Sequence, residues 1–428
     1  MVLAGSVTAN PMGEPEAGPA ISPGESEESA RPVPDSAQAA KPDAEHKIET
    51  LPAPLRARGL WVLAEGSVRA LDDPSRVEAL LNRAVVLKVT DLFVQVYRGG
   101  RAFYESADFV EQKARPLAQG ADVLRGLLDA AHQRGLRVHA WVNVLSLSTR
   151  RDARLIRDLG RDSILTDKLG RSMLDYPNFD LPEPDRKFYR MGTPGLYLDP
   201  AVPAVRARLL ATFRDLLLRY PDFDGLHLDY IRHPGVLPFS PGSQFGVGLD
   251  FGYGSESRRR YREETGLPEP NDPEQRAQIR QPARWDRWRR QQVTRLVEEI
   301  AEQSRNLRPG LILSAAVIAY VDRAYLSLAQ DWHGWLESGA IDRVMPMVYS
   351  VDDRLLRYQL ETFAGWSQAD QIWPGLGSWL FADNPSRSVR QLEILQHYGF
   401  LGEMLFSDDA LSESDALFEA LAAVPVNP

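Results

Sequence analysis

From residue 58 to the C-terminus, short apolar runs of strand length alternate with amphipathic segments of helical period, and the alternation repeats eight times. The strand-length runs fall at 59–64, 91–96, 137–144, 224–229, 310–316, 341–348, 371–377 and 400–406. Helices are predicted near 75–87, 121–134, 202–220, 284–307, 331–338, 353–364, 386–397 and 412–422. A strand followed by a crossover helix pairs parallel with its successor, and eight such units close on themselves as a (β/α)8, or TIM, barrel. The rival, an open doubly wound sheet, wants a glycine-rich phosphate turn early in the chain, and no GxGxxG spacing follows the first strand run.

Residues 1–55 have the opposite character. They are rich in Pro, Glu, Ser and Ala, and the first aromatic residue of the chain is Trp61. Such a composition buries too little apolar area to offset chain entropy, so a disordered tether at 1–55 is expected to precede one barrel domain at 56–428. The opening Met1-Val-Leu-Ala-Gly-Ser6 is like the last residues of an export signal but is too short to be one. Ser6 stands where a lipoprotein would carry its lipidated cysteine, which removes that anchor. An extracytoplasmic location, periplasmic or secreted, is expected, with no export signal in this chain.

Composition narrows the function. A net charge of −9 argues against nucleic-acid binding, which depends on clustered Lys and Arg. No apolar run approaches the ~20 residues of a membrane-spanning helix. The absence of cysteine removes disulfides, thiolate nucleophiles and cysteine-ligated zinc together. Nothing in the sequence sets an oligomeric state.

Two connections are long, about 145–200 after strand three and 230–282 after strand four. Loops that follow strands lie on the C-terminal face of a barrel, where clefts are built. Strand three, Arg137-Val-His-Ala-Trp-Val-Asn-Val144, puts His139, Trp141 and Asn143 on one face: Asn143 as a pocket amide, Trp141 as a flat surface for a sugar ring, and His139, deeper, as a satisfied core residue. Strand four, Asp224-Gly-Leu-His-Leu-Asp-Tyr-Ile-Arg-His-Pro234, ends an apolar strand on Asp229, the position at which barrels mount catalytic carboxylates. Arg232 and His233 follow it, to position ligand or to hold Asp229 ionised. His139, His227, Asp229 and His233 would suit zinc by residue type, yet no HExxH or similarly tight spacing exists, and no metal or cofactor is expected.

These strings, taken in order, resemble glycosyl-hydrolase-like family ten, whose members include a cell-wall glycan hydrolase acting on peptide-free strands. The others are Arg58-Gly-Leu-Trp-Val62, Gln95-Val96 with Tyr104-Glu-Ser106, and Leu198-Asp-Pro200. After strand four come Asp250-Phe-Gly-Tyr253 with Arg260-Tyr261, Gln330-Asp-Trp332, Ile341-Asp342 with Met345-Pro-Met-Val-Tyr349, and Leu405-Phe-Ser407. The match spans roughly residues 56 to 411. It implies a glycoside hydrolase acting on a bacterial polysaccharide, the glycan strands of peptidoglycan in the first instance, by a two-carboxylate mechanism.

On that resemblance Asp229 is the nucleophile or base. Strand five ends Leu313-Ser-Ala-Ala-Val317, with no glutamate where related barrels place their acid, so Asp331, with Trp332 to desolvate it, is the acid candidate against a plain helix-cap role. Met347 replaces a glutamine common in relatives. The residues expected to meet the sugar chain are Trp61, Glu65, Arg98, Tyr104, Trp141, Asn143, His227, Tyr230, Arg232, Trp332, Tyr349, Trp379 and Asp408. The missing strand-five glutamate keeps open an alternative, a non-catalytic glycan-binding barrel.

Overall fold

Period-two sequence becomes a closed wall. The computed structural model describes residues 56–113, 122–238, 249–270 and 280–426; the expected tether lies outside them. Eight strands form the wall: β1 (Ala57–Val62), β2 (Asp91–Arg98), β3 (Arg137–Asn143), β4 (Gly225–Asp229), β5 (Ile312–Ile318), β6 (Arg343–Met347), β7 (Gly375–Gly377) and β8 (Gly402–Phe406). Each pairs parallel with the next, and β1 pairs with both β2 and β8, so the sheet has no edge and is a (β/α)8 barrel.

Alternation sorts the side chains into two cores. Leu60, Val62, Leu92, Val94, Leu226, Leu228, Val317 and Leu405 point outward and pack under the helices. Trp61, Phe93, Trp141, Ala316, Met345, Trp373 and Met404 point inward and fill the barrel. The inner packing needs missing side chains as much as present ones: a Cβ on Gly375 would lie 2.6 Å from the Trp61 ring, and one on Gly225 2.2 Å from His139 Nδ1.

The join between β6 and β7 is thin, a single register pair, Met347 with Gly375, plus one bridge, Val344 to Ile372. Pro346 explains it, because it lies between Val344 and Val348, the positions that bond Trp373 and Gly375, and cannot donate to the ladder. The run at 371–377 therefore yields only three strand residues, its start being taken by the turn Ala369–Gln371.

Eight principal helices form the outer layer: α1 (Pro74–Val86), α2 (Val123–Gln133), α3 (Pro203–Arg219), α4 (Arg280–Leu307), α5 (Trp332–Glu337), α6 (Asp353–Ala364), α7 (Pro385–His397) and α8 (Asp415–Ala422). Between wall and helices lies a buried ion pair, Arg58 to Glu403 at 2.7 Å, which Gln396 completes with a hydrogen bond to Glu403. Among the described residues, no helix is long and apolar enough to cross a membrane.

The described parts of the two long loops carry pairing of their own. The β3 loop closes on itself through an antiparallel ribbon of Ser146–Ser148 with Leu196–Tyr197. It is tied to the β4 loop by a second ribbon, Tyr189–Met191 with Val236–Pro238. Helices at Arg154–Leu159 and Ser255–Thr265 thicken these loops, and Val321–Ser327 follows β5. The first two lie where long connections were expected to build a cleft; the third follows a strand for which none was expected.

Candidate active site

The inward face of β4 carries Gly225, His227 and Asp229, one residue per layer of the barrel interior. Register fixes their depth. Gly225 pairs with His139, His227 with Trp141, and Asp229 with Asn143, the last residue of β3. Asp229 is thus the topmost of the three, and the chain turns away sharply at Tyr230, whose φ of 51° is left-handed.

Asp229 is buried, with 6% of its surface exposed. Its Oδ2 accepts a hydrogen bond from Trp141 Nε1 at 3.1 Å, and its Oδ1 accepts one from the Tyr230 backbone N–H at 2.6 Å. Burial is the largest influence on the carboxyl and pushes its pKa up to about 6; the Arg232 charge and the two hydrogen bonds oppose the rise without cancelling it. The group is therefore a carboxylate at neutral pH that takes up a proton in mild acid.

Around it is a hollow of about 360 Å3 at the barrel mouth. It gathers seven of the residues expected from sequence: Arg98, Trp141, Asn143, Asp229, Tyr230, Arg232 and Tyr349. A larger hollow of about 600 Å3 adjoins it over the β4 and β5 loops, and the two share Thr193, Tyr230, Arg232, Met347 and Tyr349. Burial raises the Tyr349 phenol well above its usual range, so it stays protonated beside Asp229. Trp379, 40% exposed, stands edge-on to Tyr349 at 4.7 Å and to Phe406 at 5.4 Å, at the rim.

Other expected residues lie elsewhere or are engaged by neighbours. Asp331 does not line the hollow around Asp229; its carboxylate accepts from the Gly334 N–H at 3.2 Å and caps α5, the ordinary fate of an aspartate opening a helix. Trp332 is fully buried and donates to the Ile318 carbonyl. Asp408 is fully buried and held by both guanidinium arms of Arg83 on α1, at 2.9 and 2.8 Å, facing the helical layer. Tyr104 packs edge-on against Tyr220 and donates to the Thr212 carbonyl on α3, outside the barrel.

Trp61 and His227 do face inward, one layer too deep. They bond each other, Nε1 to Nε2 at 3.1 Å, and His227 Nδ1 meets Ser314 Oγ at 2.9 Å beneath the mouth. Glu65 stands at the mouth but is engaged by Arg98, Arg101 and Lys113 at 3.6, 3.0 and 3.4 Å. The histidines do not converge. His139 bonds Asp91 at 2.8 Å on the floor, and among the described residues no group of three or more His, Cys, Asp or Glu is placed to hold a metal ion.

Gln95, Phe406, Leu63 and Thr193 line the smaller hollow and were not among the residues expected to meet the sugar chain. Gln95 was legible: it lies two residues past Phe93 on the inward face and donates to Asn143 Oδ1 at 3.1 Å. Phe406 follows Met404 by the same rule. Thr193 lies deep in the β3 loop, where no periodicity exists to point at it.

Known proteins place this geometry in context. In sequence, the chain is 23% identical over 282 residues to glycosyl hydrolase DigH of Escherichia coli (strain K12), and equally to that of Shigella flexneri. That alignment takes 61% of this chain and 55% of DigH, so the chain spans about half the length of the curated relatives it matches. In fold, it is similar to the PgaB (BpsB) glycoside hydrolase domain from Bordetella bronchiseptica, with a TM-score of 0.59 and 14% identity over 87% of this chain and all of that one. It is also similar to the catalytic domain of β-amylase from Paenibacillus polymyxa, with a TM-score of 0.55 and 11% identity over 87% and 99% of the two chains. Residues 56–375, which run from β1 through β6 to the first residue of β7 and include Asp229, match the model of one family, and the chain belongs to that family, Glycosyl hydrolase-like 10.

Proposed function

We propose that this protein hydrolyses glycosidic bonds in a bacterial polysaccharide, the glycan strands of peptidoglycan being the first candidate, in an extracytoplasmic compartment. The observation that carries the reading is Asp229 itself, a buried carboxylate at the end of β4, held between two N–H donors in a hollow lined by aromatic and amide groups. Both donors engage the charged form, which suits a nucleophile or a base and leaves no acceptor in place for a carboxyl proton. Trp141 and Tyr349 offer apolar surface to a sugar ring, and Asn143 and Arg98 offer polar groups to its hydroxyls.

One observation favours a second reading, a barrel that binds glycan without cutting it. Asp229 is the only carboxylate among the described residues lining the smaller hollow, and the two in the larger one, Asp250 and Asp286, are both tied to Arg289, at 2.8 and 2.5 Å.

The test is to incubate the protein with peptide-free peptidoglycan strands, chitin oligosaccharides and starch, reading new reducing ends and retained binding. Hydrolysis predicts reducing ends on an N-acetylated glycan from the wild type and none from Asp229→Asn. Binding with no new ends on any glycan would establish the second reading, and neither binding nor cleavage would remove both.

A further inference from the structure

The two hollows share one cation. Arg232 lines both, with only 7% of its surface exposed. Among the described residues it donates a single hydrogen bond, to the neighbouring His233 carbonyl at 3.2 Å, and its guanidinium rests over the Tyr230 ring at 5.0 Å. No carboxylate of the described residues pairs with it, Asp229 included. A guanidinium carries five N–H groups, and none of the Arg232 nitrogens is sealed away without a partner, so the donors not spent on His233 are left to solvent or to a ligand in the hollows.

The larger hollow adds to the imbalance. Its acids, Asp250 and Asp286, both pair with Arg289. Arg323, on the far wall, stacks at 5.2 Å on Tyr320 and likewise has no acidic partner among the described residues. The lining of this hollow holds four cations, Lys168, Arg232, Arg289 and Arg323, against two acids, so its excess charge is positive, although the chain as a whole carries −9.

We propose that the larger hollow is a subsite for a sugar bearing a carboxylate, recognised by Arg232 with Arg323, one unit along the chain from the bond at Asp229. The inference rests on the glycan-cleaving reading. A planar carboxylate accepts two parallel N–H bonds from a guanidinium, the pairing that satisfies Arg232, whereas a neutral hydroxyl leaves most of its donors unmet. The carboxylate belongs either to an ether-linked lactyl group, as on the muramic residues of peptidoglycan, or to a uronic acid.

The experiment compares kcat/KM on glycans whose carboxylates are intact with that on the same glycans after their reduction to alcohols, using one lactyl-bearing and one uronic-acid polymer. The wild type should favour the intact form of one polymer by about ten- to a hundred-fold, the range of a charge-assisted hydrogen-bond pair, and which polymer it is identifies the source. Arg232→Gln should bring that ratio close to one, and Arg323→Gln should lower it by less. A wild-type ratio near one, or a ratio unchanged in Arg232→Gln, would overturn the subsite. If the wild type cuts nothing, the hydrolase reading fails alone: calorimetry with Asp229→Asn and the same glycans then decides, tighter binding of the carboxylated form upholding the subsite and equal binding ending it.

Discussion

Asp91 and Asp229 are both buried aspartates inside the same barrel, and their surroundings drive them in opposite directions. Asp91 opens β2 on the floor. Burial alone would raise its pKa, but hydrogen bonds from His139 and from both arms of Arg137 hold the carboxyl well below the usual range. Asp229 closes β4 at the mouth, with Arg232 nearby yet unpaired to it, and burial wins. The floor answers the charge of Asp91 in full and fixes the fold; the mouth leaves the charge of Asp229 answered in part, beside a hollow. That division, stability below and chemistry above, is the expected one for strands whose C-terminal ends carry the work.

The contrast is broken most severely from the floor. Asp91→Asn should cost about 3 kcal/mol of stability, since removing one member of a buried charged set leaves its partners unanswered, while activity per folded molecule stays near wild type. Thermal melting and a titrated rate assay check it, and a large loss of activity in the folded fraction would place Asp91 in the chemistry instead.

At the mouth the sign reverses. Because the folded pKa of Asp229 lies near 6 and the unfolded one near 4, ionised Asp229 costs stability fully above about pH 6, and the cost fades as pH falls toward 4. Asp229→Asn should therefore be more stable than wild type by about 2 kcal/mol at pH 7 and by little at pH 4. Asp91 does the reverse: its contribution is present above about pH 4 and is lost as pH falls through its low folded pKa. Urea midpoints of wild type and both variants across that range separate the two, and equal pH dependence would refute the comparison.

Two smaller effects sharpen it. Trp379→Ala removes a half-exposed ring at the rim and should raise KM about three- to ten-fold with little change in kcat, as expected of a stacking platform. Asp331→Ala should lower stability by about 1 kcal/mol through loss of the α5 cap and leave kcat/KM unchanged. A collapse of kcat in that variant would return Asp331 to the mechanism.

The sequence made the wall and its direction legible because both follow from local periods: eight alternating units, with the long connections after strands three and four. Asp229 and Asn143 were legible because they end their strands on the inward face, and Trp141 because it precedes Asn143 by two on that face. Depth was not. Trp61 and His227 share that face, but whether a residue meets solvent or the layer above depends on the register between strands, which period two does not set. Capping and catalysis were equally indistinct at Asp331, since an aspartate before a tryptophan reads the same in either role. Asp408 was lost to a distant arginine on α1, a pairing that only the folded chain brings about.

The account stands or falls on Asp229 reacting as a carboxylate at the mouth. The direct test is kcat/KM for glycan cleavage between pH 4 and 8, for wild type and Asp229→Asn. The prediction is a rate that climbs with pH through a limb near 6, and a variant at least a thousand-fold slower at every pH. A variant that cleaves at near wild-type rate, or a profile with no limb in that range, would contradict it.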